Sequence, residues 1–170
     1  MKKLVLAPLF AMAVSHGAFA QDHAGPYIGA KYGKFMIDVE EANEPTDGGF
    51  LVGYNFGNGA SLEVEHDETT VELSSVGGYY YYYYGSLDLK TTALYVAFRT
   101  PGDAYLKAKL GVLKEDITSD YGSSYDKSDS GLSAGIGAGF NAGDVVQLEV
   151  EYTVIEQDVS FLSAGINLRF

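Results

Sequence analysis

Among its 170 residues the chain has no cysteine, so no disulfide contributes to stability and the fold is held by other means. Basic residues are scarce: 11 Lys and Arg stand against 23 Asp and Glu, a net charge of -12. Phosphate backbones are gripped by clustered cations, so no nucleic-acid partner is expected. Beyond residue 20 no apolar run approaches the roughly 20 residues that a membrane-spanning helix needs. No segment keeps a helical period, and neither a Walker loop nor a dinucleotide fingerprint is present. The glycine-rich stretch Gly135-Ile136-Gly137-Ala138-Gly139 alternates like a strand and opens no helix.

The first 20 residues follow a different logic. Lys2 and Lys3 precede an apolar stretch from Leu4 to Val14 and small residues ending Ala18-Phe19-Ala20. That is the pattern of a cleaved secretory signal, with an apolar stretch too short to span a bilayer. Residues 1–20 are therefore read as a signal peptide and 21–170 as one domain. Cleavage removes two lysines and no acid, taking the net charge from -12 to -14.

From Gly25 to Phe170 the dominant signal is alternation with period two, broken by Gly, Asn, Asp and Pro clusters, which is how successive strands and turns read. Eight runs stand out. They are Tyr27 to Ile37, Gly49 to Phe56, Leu62 to Leu73, Leu87 to Arg99, Ala104 to Lys114, Leu132 to Phe140, Val146 to Val154, and Val159 to Phe170. Each has about the length that a tilted strand needs to cross a membrane.

Gly57-Asn58-Gly59, Thr100-Pro101-Gly102-Asp103 and Asn141-Ala142-Gly143-Asp144 are tight turns, built of residues that accept positive φ or fix φ. The other connections are mostly longer: Asp38 to Gly48, Ser74 to Ser86 and Glu115 to Ser130, with a short one at Glu156 to Asp158. Short turns at one end and long loops at the other are the asymmetry of transmembrane barrels, with the turns on the periplasmic side.

The polar parity decides which face is wet. A soluble barrel turns its apolar face inward, and its outer face carries Lys, Glu and Thr throughout. Here the polar parity holds Gly53 and Asn55 in one strand and Ser133, Gly135, Gly137 and Gly139 in another. Small residues suit the crowded interior of an eight-stranded barrel. The remaining charges then meet inside, with Glu63, Glu65, Glu149 and Glu151 facing Lys31, Arg99, Lys107, Lys109 and Arg169 as a lumen network. The opposite parity is Leu, Val, Ile and Ala, with Tyr54, Phe56, Phe98, Phe140, Tyr152 and Phe170 near strand ends, an apolar band with an aromatic girdle. The expected fold is all-β: an eight-stranded antiparallel up-and-down transmembrane β-barrel.

The last strand, Val159 to Phe170, is apolar at Leu162, Ala164, Ile166, Leu168 and Phe170 and ends in Phe. With Gly25-Pro26-Tyr27-Ile28-Gly29-Ala30 behind the cleavage site, it resembles the OmpX and OmpA-type outer-membrane β-barrel family of Gram-negative bacteria, across the whole mature chain. The resemblance implies an outer-membrane location, and it implies that the barrel assembly machinery recognises those five residues during biogenesis. It says little about activity, because the family includes adhesins, narrow channels, membrane-stabilising proteins and a few lipid-modifying enzymes.

Three constellations invite a chemical reading. Tyr79, Tyr80, Tyr81, Tyr82, Tyr83 and Tyr84 run consecutively between glycines. Tyrosine joins an apolar ring to a polar tip, so the run suits either surface contact with sugars, protein or lipopolysaccharide headgroups or simple settling at the interface. Asp116, Asp120, Asp126 and Asp129, and likewise Glu40, Glu41, Glu44 and Asp47, cluster in loops but lack the spacing of a calcium loop. His66 is the one strand histidine, with Ser61 and Ser74 near it in sequence but no catalytic spacing.

No cofactor, metal or catalytic residue is expected. The first reading is a monomeric, non-enzymatic surface protein whose loops meet an extracellular ligand or the lipid and lipopolysaccharide around it. The alternatives are a narrow porin-like channel for ions or small solutes and a lipid-A-modifying enzyme.

Overall fold

The computed structural model describes residues 24–37, 45–73, 85–119, 127–156 and 159–170. Alternating side chains with β-branched and aromatic residues on one parity favour pleated strands, and eight form: β1 (Gly25–Ile37), β2 (Thr46–Asn55), β3 (Ala60–Leu73), β4 (Gly85–Arg99), β5 (Ala104–Ser119), β6 (Lys127–Ala142), β7 (Val146–Glu156) and β8 (Val159–Arg169). Each pairs antiparallel with the next, and β1 pairs with β8 from Tyr27↔Arg169 to Ile37↔Val159, closing the barrel. Closure leaves no sheet edge where the wall meets hydrocarbon, where an unpaired backbone group costs several kcal/mol.

The three tight turns lie at one end, with Gly57, Gly59, Gly102 and Gly143 at positive φ as a tight reversal requires. At the other end the strands run further than the pattern indicated. β2 starts at Thr46, and most of the loop expected from Glu115 to Ser130 is ladder, with Glu115↔Asp129, Asp116↔Ser128 and Ile117↔Lys127 paired. Polar residues on both parities erased the alternation there, although the backbone keeps pairing.

Among the described strand residues, every buried side chain carries an odd number and points into the lumen, while even-numbered Leu94, Val96, Leu110, Ile136, Val150 and Ile166 lie exposed on the outer surface. The apolar parity faces lipid and the mixed parity fills the cylinder. Phe56, Phe98, Phe140 and Phe170 lie exposed at the turn end, as an interfacial girdle.

A charge at mid-height outside is therefore costly. Ile136→Arg is expected to lower stability by about 2–4 kcal/mol in reversible urea unfolding from phospholipid vesicles, with Ile136→Leu close to the parent.

Candidate functional site

Inside the turn end, two tyrosines lie flat on two glycines. Tyr27 pairs across the strands with Gly53 and Tyr105 with Gly139. A Cβ at either glycine would stand 2.2 or 2.3 Å from the facing ring, so only glycine leaves room for the aromatic. Packed there, Tyr27 donates to Glu63 Oε1 (2.6 Å) and Tyr105 to Glu149 Oε1 (2.8 Å). Arg99 lies between the rings, 5.3 and 6.0 Å from their centres. Its guanidinium donates to Glu63 (2.7 Å), Glu149 (2.9 Å) and Ser61 (2.7 Å).

Above this layer the lysines continue one connected network. Lys107 is within 2.9 Å of Glu63, 3.1 Å of Glu149 and 2.9 Å of Glu151. Lys109 joins Glu151 to Glu65 (2.7 Å), and Lys31 joins Glu65 (2.6 Å) to Asp67 (3.0 Å). Nine ion pairs run unbroken from Arg99 to Asp67. Four glutamates thus meet four cations, with Asp67 at the outer end. Lys109 also stands 4.3 Å from the centre of the Tyr95 ring, and the Tyr95 hydroxyl bonds Ser133 (2.7 Å).

Beyond the charges sits an apolar cluster of Phe35, Leu89, Ala93, Tyr95, Leu113, Ile155 and Phe161, with Phe35 stacked on Phe161 at 4.4 Å. Reading the lumen as glycine and charge missed it. The signal was present, since these residues continue the lumen's parity toward the loop end. A bore wide enough for water would leave surface on the side chains along its axis, yet Glu63 exposes 0%, Lys109 1%, Glu65 2% and Lys107 3%. The lumen is a packed solid at that level.

Eight of the nine residues expected in the lumen network meet there. The ninth, Arg169, sits on the last rung of β8 at the turn-side rim, where its guanidinium donates to the Gly143 carbonyl (2.9 Å). His66 faces outward beside Phe50, its Nδ1 2.9 Å from Thr92 Oγ1. Ser61, by contrast, points inward to Arg99, so strand geometry puts the two on opposite faces. Asp116 and Asp129 lie on β5 and β6, with Asp116 paired to Lys114. Asp120, Asp126, Glu40, Glu41, Glu44, Ser74 and the run Tyr79 to Tyr84 lie outside the described residues. Among the described residues no group of three or more His, Asp or Glu side chains is placed to hold a metal ion. Of the terminal strand, Leu162, Ala164, Ile166, Leu168 and Phe170 all face outward.

The family model described as outer membrane protein beta-barrel domain matches residues 4–170. Three crystal structures share the fold. Ail, the attachment invasion locus protein of Yersinia pestis, solved with the heparin analogue sucrose octasulfate, is 19% identical with a TM-score of 0.57, over 86% of this chain and 97% of that one. Neisserial surface protein A is 16% identical (TM-score 0.63; 87% and 99%). OprG from Pseudomonas aeruginosa is 12% identical (TM-score 0.62; 88% and 98%). No curated protein sequence matches the chain. At these identities the likeness is one of fold.

Removing one partner from a buried ion-pair network strands the others. Lys107→Met leaves three glutamates without their shared cation and is expected to cost about 3–5 kcal/mol in guanidinium unfolding of the detergent-folded barrel. Adding Glu151→Gln is expected to recover part of that loss.

Proposed function

Because the chain belongs to the outer membrane protein β-barrel family and resides in the bacterial outer membrane, we propose that it is a non-enzymatic, monomeric surface protein that works through its extracellular end. The observation that carries this reading is a polar wall standing above a filled lumen. β2 accompanies β3 only as far as Gly48↔Glu68, and β7 accompanies β6 only as far as Ala134↔Val154. β3 to β6 continue beyond both neighbours. The outer face of that extension is polar, with Thr70 bonded to Asp88 (2.8 Å), Lys90 paired with Glu68 and Lys114 with Asp116 (2.8 Å).

Polar pairs suit the exposed outer face of this sheet, which carries the barrel wall on toward the loops. The tyrosine run, which lies between β3 and β4 in the sequence, is the proposed contact with sugars, protein or lipopolysaccharide headgroups. Ail binds a heparin analogue in its crystal. This chain, at a net charge of -12, would repel so dense a polyanion, and a neutral or cationic ligand fits better. The outward-facing apolar residues of β8 are the proposed signal to the barrel assembly machinery, after removal of residues 1–20 as a signal peptide.

The channel alternative would require the ion-pair core to part. In planar bilayers the purified barrel is expected to give no steady single-channel current. Stable conductance steps that disappear on neutralising Lys107 and Glu151 together would defeat the proposal in favour of a pore.

A further inference from the structure

β1 to β4 and β5 to β8 carry one pattern twice. Tyr27, Ala30, Lys31 and Gly33 of β1 recur 78 positions later in β5 as Tyr105, Ala108, Lys109 and Gly111. Gly53, Asn55, Gly57 and the stretch Leu62-Glu63-Val64-Glu65 recur 86 positions later as Gly139, Asn141, Gly143 and Leu148-Glu149-Val150-Glu151. Arg99 and Arg169, which end β4 and β8, are 70 apart.

The pairing repeats with the sequence. Tyr27↔Gly53, Gly53↔Glu63 and Glu63↔Tyr95 in the first half correspond to Tyr105↔Gly139, Gly139↔Glu149 and Glu149↔Gly165 in the second. The turn glycines Gly57 and Gly143 have φ of 78° and 82°. The backbone N–H groups of Arg99 and Arg169 donate to the equivalent carbonyls of Gly59 and Val145, each at 2.8 Å. Three consecutive registers and their turn geometry coinciding go beyond what shared alternation supplies, because alternation is satisfied by any even shift.

We infer that the barrel is two copies of one four-stranded unit, and that its ion-pair core is two copies of one half-site clasped together. Each unit supplies a tyrosine on a glycine, the glutamate that the tyrosine bonds, a second glutamate two residues on, and a lysine. Tyr27, Gly53, Glu63, Glu65 and Lys31 form one; Tyr105, Gly139, Glu149, Glu151 and Lys109 form the other. The clasp is asymmetric. Lys107 stands where the first unit has Gly29, and it bridges Glu63 of one half to Glu149 and Glu151 of the other. Arg99 reaches across to both halves, whereas its counterpart Arg169 turns to the rim. Two half-sites hold four glutamates and two lysines, so these two further cations bring the glutamates to balance. The unequal offsets place the length differences between the halves in the loop-end connections, while the half-site residues keep their spacing within the strands.

The test is transplantation within the full chain. Replacing residues 51–67 with a copy of 137–153 keeps the repeated glycine and both glutamates in place. Replacing the same residues with a copy of 135–151 keeps the alternation but moves the glutamates by two positions. Folding into detergent is read by heat-modifiable gel migration, and the reciprocal pair of transplants into 137–153 is read in the same way. The inference expects the in-register copies to fold to within about twofold of the parent and the shifted copies to fold roughly tenfold less. In-register copies that do not fold, or shifted copies that fold equally well, overturn it.

Discussion

Charges inside a membrane-embedded cylinder have no water to turn to, and the desolvation of each costs several kcal/mol unless partners and hydrogen bonds replace it. Four glutamates, Asp67, three lysines and Arg99 are packed into the lumen at near-zero exposure, and the structure answers that cost with one connected network. Tyrosine and serine hydroxyls complete it, and glycines on the facing strands give the rings room. Each of the two central lysines serves glutamates from both halves, so the walls of the barrel are fastened across its axis as well as around its circumference.

The outer surface follows the opposite rule from a soluble protein. Exposed Leu, Val and Ile on the even parity meet lipid tails as apolar as themselves, and burial in the ordinary sense belongs to charge and small residues. Backbone polarity is met by closure: with β8 paired to β1 the wall presents no free ladder to hydrocarbon. Neither constraint acts above the membrane, where β3 to β6 stand clear of their neighbours on a polar outer face.

A barrel with a packed lumen has nothing to transport along its axis without breaking ion pairs. That is the physical ground for placing the proposed function at the extracellular end, above the packed core. The two-fold repetition fits this division of labour. The halves repeat the tyrosine, glycine, lysine and paired glutamates of each half-site, while their loop-end connections differ in length.

The alternation of Ile136, Ala138 and Phe140 against Gly135, Gly137 and Gly139 was enough to place strands, count them and choose the lipid face, because a two-residue period admits only two faces and glycine suits only a crowded one. The tight turns and the charged lumen parity were legible for the same local reason. Which glutamate meets which lysine was not, since Lys109 and Glu65 are 44 residues apart and are joined only by the stagger of a closed sheet. The inward parity of Phe35 and Phe161 was legible, but their stacking into one apolar cluster and the departure of Arg169 to the rim were not, because odd numbering states that a side chain points inward but not what it meets there. Local periodicity thus determined the wall of this protein from sequence alone, and only barrel closure, which sets register around the full circumference, decided the contents of its interior.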